Sequence, residues 1–91
     1  MEQTEGGSAQ DRGLQGRRVL IVEDEVFIAR DLADYFAQLG AEVIGPALTL
    51  AEGFGLAARA EAAVLDISLR GEMSFPLAEV LLARDIPFVF F

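Results

Sequence analysis

The chain has no cysteine and no histidine. Without cysteine there is neither a disulfide framework nor a thiolate metal site. Without histidine there is no imidazole ligand and no histidine base. Cations are scarce as well: 7 Lys and Arg face 15 Asp and Glu, a formal net charge of −8. Binding to a nucleic-acid backbone draws on clustered Lys and Arg. Nucleic acid is therefore excluded as a direct partner, and a metal cation or a basic protein surface suits the chain instead. No apolar run is long enough to span a membrane, and the N-terminus lacks the apolar core of a signal peptide. These absences leave a soluble cytoplasmic protein as the default.

What is there is mostly apolar. A hydrophobic fraction of 53% in 91 residues favours one packed domain over a disordered chain. A domain of this size buries a modest share of its surface, so its margin of stability is thin. Residues 1–16 are rich in Glu, Gln, Gly and Ser, with almost nothing to bury, and read as a flexible tail. Residues 17–91 carry the domain.

Apolar runs and helical stretches alternate along that domain. The run Val19-Leu20-Ile21-Val22 predicts a buried strand from about Arg18 to Glu23. Ile28, Leu32, Tyr35, Phe36 and Leu39 then fall on one helical face, with Asp24 able to cap the start and Gly40 placed for the C-terminal turn. Glu42-Val43-Ile44-Gly45 is a short second strand stopped by Gly45-Pro46. Thr49-Leu50-Ala51-Glu52 matches a capping box, so a second helix starts near Leu50 and runs to about Ala60. Leu50, Phe54 and Ala57 form its expected inward face. A third strand covers Ala63 to about Ile67, and residues 68–72 read as a loop. Ser74-Phe75-Pro76 starts a third helix over Leu77–Arg84, with Leu77, Val80 and Leu81 inward. Phe88-Val89-Phe90-Phe91 is a fourth, fully apolar strand. This βαβαβαβ order predicts an α/β fold, a doubly wound parallel sheet with right-handed crossovers. In such sheets the site lies beyond the carboxyl ends of the strands, at the switch point of strand order.

Two of these strands end in acid. Glu23, Asp24 and Glu25 follow the first, and Asp66 follows the third. Clustered carboxylates repel one another unless a cation intervenes. A hard cation such as Mg²⁺ takes oxygen ligands, uses one or two carboxylates and keeps waters that a phosphate can replace. A carboxylate beside such a metal can also attack a phosphoryl group. Taken singly, each residue has a structural use: Asp24 as a helix cap, Glu25 as a first-turn acid, Asp66 as a turn former, Ser74 as a cap, and the phenylalanines as core. The combination carries the functional case.

Val19-Leu20-Ile21-Val22-Glu23-Asp24-Glu25, followed by Val64-Leu65-Asp66-Ile67-Ser68-Leu69, resembles the receiver domain of two-component response regulators, a bacterial family. The resemblance runs from about Arg17 to Phe91. It implies a flavodoxin-like receiver topology in which this chain holds about four of five strands and three of five helices. It implies further that Asp66 accepts a phosphoryl group from a histidine kinase or phosphotransfer protein. Glu23, Asp24 and Asp66 would hold Mg²⁺ together with the backbone carbonyl of Ser68. Gly71-Glu72-Met73 and Ile86-Pro87-Phe88-Val89-Phe90 also resemble a subgroup of single-domain regulators from alphaproteobacteria.

The chain departs from the family pattern in two ways. Arg70 stands where receivers usually carry Pro. The sequence stops inside the fourth strand, so the switch Ser or Thr, the family's Lys and the elements beyond are absent. That stop implies either a fragment of a longer product or a chain that self-associates through the fourth-strand edge or a swapped element. An alternative reading is an interaction module without phosphoryl chemistry. A turnover enzyme is disfavoured because no second acid follows Asp66 closely as a general acid. Nucleotide binding is disfavoured because no Gly-rich loop follows the first strand.

Overall fold

An apolar run without polar alternation needs cover on both faces, and Val19–Val22 receives it. In a computed structural model, which describes residues 13–91, this run forms β1 (Arg18–Val22), and all four of its apolar residues are buried. The elements that follow are α1 (Val26–Gln38), β2 (Glu42–Ala47), α2 (Leu50–Leu56), a 3₁₀ turn (Ala57–Arg59), β3 (Ala62–Leu65), β4 (Ser68–Leu69), β5 (Glu72–Met73), α3 (Phe75–Ala83) and β6 (Phe88–Phe90). The main sheet has four strands, all parallel, in the order β2-β1-β3-β6. Strand order reverses between β1 and β3, which places the switch point there. The expected doubly wound parallel sheet is therefore the observed one.

The residues of β1 divide between two cores. Leu20 and Val22 pack with Leu65, Leu69, Leu77 and Leu81 under α2 and α3, while Val19 and Ile21 pack with Val64, Leu32 and Phe36 under α1. Full burial of one such leucine contributes about 1.5–3 kcal/mol, so the larger cluster dominates the stability of the domain. Thr49 caps α2 as the capping box predicts, its Oγ1 accepting the Glu52 N–H at 3.1 Å. The return arm reaches one residue further back: Glu52 Oε1 accepts the Leu48 N–H at 2.8 Å.

Several local expectations are corrected. The inward stripe of α1 is Ala29 with Leu32, Ala33 and Phe36, while Ile28 and Tyr35 are exposed. Residues 29, 32, 33 and 36 follow the helical period along one face, and Ile28 and Tyr35 fall on its flanks. On α2, Phe54 is exposed and Gly53 is buried. A Cβ on Gly53 would lie 2.8 Å from Leu77 Cδ2, so α2 and α3 approach closely there and a larger residue would move the Leu77 methyl. The α-helical part of this segment ends at Leu56 and tightens into the 3₁₀ turn before Ala60. On α3, Ala78 joins Leu77 and Leu81 in the core and Val80 is half-buried. The stretch expected as a loop over 68–72 contains the β4–β5 hairpin, with Arg70 and Gly71 both at positive φ (51° and 85°). That is the signature of a two-residue turn whose twist matches its strands.

The second strand also does not stop at Gly45-Pro46. It continues to Ala47 through a register shift against β1 between Leu20 and Val22. Most of the expected tail, residues 1–12, lies outside the described residues. Its last four residues are tied to the body by the Gly16 N–H on the Gly40 carbonyl at 2.8 Å.

Two glycines should respond oppositely to alanine. Gly45 has φ +95°, and a Cβ there would meet the Ala47 nitrogen at 2.6 Å. Gly45→Ala is expected to cost about 1–3 kcal/mol through strain. Gly55 lies in α2, exposed, with nothing within 4 Å of an added Cβ. Gly55→Ala is expected to stabilise by about 0.5–1 kcal/mol. Urea midpoints of the two variants check both signs.

Candidate functional site

The parallel register decides what the strand ends deliver. β1 and β3 pair Val22 with Leu65, so Glu23 and Asp66 leave the sheet side by side. The ladder continues one step on each flank: the Glu23 N–H bonds the Ala47 carbonyl and the Asp66 N–H bonds the Val22 carbonyl, both at 2.9 Å. One carboxylate oxygen from each of Glu23, Asp24 and Asp66 lies within 4.8 Å of the other two. The three acids expected to converge are thus brought together at the carboxyl edge of the sheet, at its switch point.

Each acid is held differently. Glu23 is 2% exposed and folds back so that its Oε2 accepts the Glu25 N–H at 2.8 Å. Asp24 is half-buried and its Oδ2 accepts the Arg70 N–H at 2.9 Å. Asp24 does not cap α1, as its position suggested. The N-cap of that helix is Glu25, which makes no side-chain capping bond. The reason is competition: the β4–β5 turn brings a backbone N–H to Asp24, and the bond holds Arg70 in a left-handed conformation that a non-glycine residue adopts at a cost.

Burial pushes the Glu23 carboxyl up from 4.5 to about 7, and the nearby Asp24 and Asp66 add to the rise. Asp24 moves below its usual value, first because of the Arg70 N–H that it accepts. A buried carboxyl raised by its acidic neighbours, beside an anionic one, is a donor set that a hard cation relieves. The residues present therefore fit Mg²⁺. For the fourth expected ligand the ladder is informative. The Ser74 N–H bonds the Ile67 carbonyl at 2.8 Å, and Ser68 faces Met73 in the next pair. Hydrogen-bonded and non-bonded pairs alternate along an antiparallel ladder, so the Ser68 carbonyl is not engaged by β5.

Ser74 was expected as a cap and is not one. It stands at the N-cap of α3 without a side-chain capping bond. Instead it is fully buried, and its Oγ donates to the Asp66 carbonyl at 2.6 Å, with the Ile67 carbonyl at 3.1 Å. A serine ahead of Phe75-Pro76 has the local pattern of a cap, and nothing in the flanking residues separates the two uses.

No protein-family model matches the chain, and no curated protein matches it. Solved structures do. SdrG from Sphingomonas melonis Fr1 is 45% identical with a TM-score of 0.75, over 82% of this chain and 66% of that one. The response regulator PhyR from Brucella abortus is 30% identical with a TM-score of 0.78, over 93% of this chain and 37% of that one. The non-phosphorylated HemR receiver domain from Leptospira biflexa is 31% identical with a TM-score of 0.72, over 81% of this chain and 62% of that one. The chain belongs to the response-regulator receiver domains. It spans little more than a third of PhyR and about two thirds of SdrG. Its four parallel strands and three helices are a shortened form of the full receiver fold. Among the described residues, no helix of this receiver is long and apolar enough to cross a membrane.

The raised Glu23 sets a pH dependence. Between about pH 4.5 and 7 the folded receiver holds a proton that the unfolded chain has released, so stability falls as pH rises through that window. Asp24 and Glu61, both lowered, act in the opposite sense but only below their ordinary values of 3.8 and 4.5. The metal-free urea midpoint is expected to drop from about pH 5 to about pH 8. Glu23→Gln should remove most of that slope; an undiminished slope in the variant would contradict this origin.

Proposed function

We propose that this receiver accepts a phosphoryl group on Asp66 from a histidine kinase or phosphotransfer protein, in a reaction that depends on Mg²⁺. The observation that carries this reading is the trio of carboxylates within 4.8 Å of one another at the switch point of the sheet. The residues that would hold the ion are Glu23, Asp24, Asp66 and the Ser68 carbonyl. Bound Mg²⁺ would neutralise charge on the transferring phosphoryl group.

The rest of the step belongs to the chain. An oxygen of Asp66 attacks phosphorus, and the phosphorus–nitrogen bond of a phosphohistidine donor breaks. The bonding pair leaves on the imidazole, and Asp66 becomes a mixed anhydride. The Asp66 N–H on the Val22 carbonyl fixes the nucleophile's backbone to the sheet.

The product is a changed surface and not a released molecule, so we read the domain as a signalling module and not an enzyme. Its action then runs through protein contacts. A second reading, association with another copy, is favoured by one observation. Among the described residues, the strand β6 pairs only with β3, and Val89, Phe90 and Phe91 are 60%, 37% and 46% exposed. An apolar strand of that kind offers an edge to a second chain, and sedimentation at rising concentration reports it.

Incubation with acetyl phosphate, with and without Mg²⁺, tests the main reading by intact mass. One phosphoryl adduct is expected with Mg²⁺, little without it, and none in Asp66→Asn. A folded wild-type protein that takes no adduct would falsify the phosphoacceptor role.

A further inference from the structure

Asp66 lies one residue beyond the end of β3, so the ladder that orders the strand no longer holds its carbonyl. What holds it is Ser74, 8 residues further along the chain. A serine hydroxyl has one proton to give, and two carbonyls are in reach: Asp66 at 2.6 Å and Ile67 at 3.1 Å. The Ile67 carbonyl already receives the Ser74 backbone N–H at 2.8 Å. The hydroxyl proton therefore goes to Asp66. The serine gives up its usual local use to do so, since it leaves the first turn of α3 without a side-chain cap. It is also 0% exposed, so no solvent competes for the bond.

The two peptide groups that flank Asp66 are then both fixed. Its N–H is tied to the Val22 carbonyl of β1 at 2.9 Å, and its C=O is tied to Ser74. With both ends held, φ and ψ are held, and the direction of the Cα–Cβ bond follows. The next backbone anchor along the chain is the Ile67 carbonyl on the Ser74 N–H, which fixes the following peptide group and not the Asp66 carbonyl itself. Ile67 is 39% exposed and Ser68 is exposed, so the segment regains buried apolar anchorage only at Leu69.

We propose that Ser74 is a positioning residue: through the Asp66 carbonyl it aims the Asp66 carboxylate into the acidic pocket. This rests on the reading of Asp66 as the phosphoacceptor and adds to it a buried hydroxyl that sets the nucleophile's aim. It also gives α3 a direct mechanical connection to the residue that is modified, because the Ser74 carbonyl accepts the Leu77 and Ala78 N–H groups at 3.0 and 3.1 Å.

The test compares Ser74→Ala, Ser74→Thr and Leu81→Ala with the wild-type chain. Leu81 is a fully buried core residue of α3, so its truncation lowers stability without touching Asp66. At saturating acetyl phosphate and Mg²⁺, Ser74→Ala is expected to slow adduct formation about tenfold or more, the scale of a small misplacement of a reacting group. Ser74→Thr keeps the hydroxyl and should recover most of the rate. Leu81→Ala should keep the wild-type rate despite its lower melting temperature. A second readout needs no phosphoryl donor: the carbon NMR resonance of the Asp66 carboxyl should move in Ser74→Ala while that of Asp24 stays.

If Ser74→Ala stays within about twofold of wild type, or Leu81→Ala slows as much as it does, Ser74 is merely structural and the proposal is overturned. If the wild-type chain takes no adduct, the phosphoacceptor reading fails. The Asp66 resonance then decides the positioning claim alone: a shift upholds it and an unmoved resonance ends it.

Discussion

The pairing of Val22 with Leu65 is the constraint on which the rest depends. It is one step in a parallel ladder, yet it sets the core and the site together. A slip of one residue would send the side chains of a strand to the opposite face. Leu20 and Val22 would lose their place beneath α2 and α3. The same slip would draw Asp66 away from Glu23 by one strand rise, about 3.3 Å. Hydrophobic packing therefore sets which strand ends meet, and brings Glu23 and Asp66 side by side.

That pocket works against the stability of the domain. Glu23 is buried next to two other acids, and its carboxyl is pushed up to about 7 as a result. A sequence selected for stability alone would place no carboxylate there. The cost is tolerable because the run before it is fully apolar and fully buried, and because backbone N–H groups meet the carboxylates of Glu23 and Asp24. Local rules broken at one place and offset by the rest of the fold are the usual mark of a functional site.

The β4–β5 hairpin is tied to the acidic edge at two points. Its tip is tied to Asp24 through the Arg70 N–H. Its base is tied to Asp66 through Ser74. The two anchors meet different acids, one at the Asp24 carboxylate and one at the Asp66 backbone carbonyl. The segment thus links Asp24, Asp66 and the start of α3 by hydrogen bonds.

The sequence by itself determined the order of the four main-sheet strands and three helices, the parallel sheet and the three acids at its edge, but not the β4–β5 hairpin. Apolar run length and helical periodicity depend only on near neighbours along the chain. Asp66 and Glu23 were legible as partners because each directly ends a buried strand. What only the tertiary structure decided was contact between segments far apart in sequence. Ala29 and Ala33 took places in the inward stripe of α1 beside Leu32 and Phe36 while Ile28 and Tyr35 fell on its exposed flanks, because the sheet and not the hydrophobicity of the residue fixes which face turns in. Gly53 and not Phe54 faces α3, where a Cβ would press on the Leu77 side chain. Asp24 and Ser74 both have the local pattern of helix caps, and both gave up that use for partners 46 and 8 residues away. A hydrogen-bonding side chain takes whichever partner the fold brings to it, and that choice is made in three dimensions.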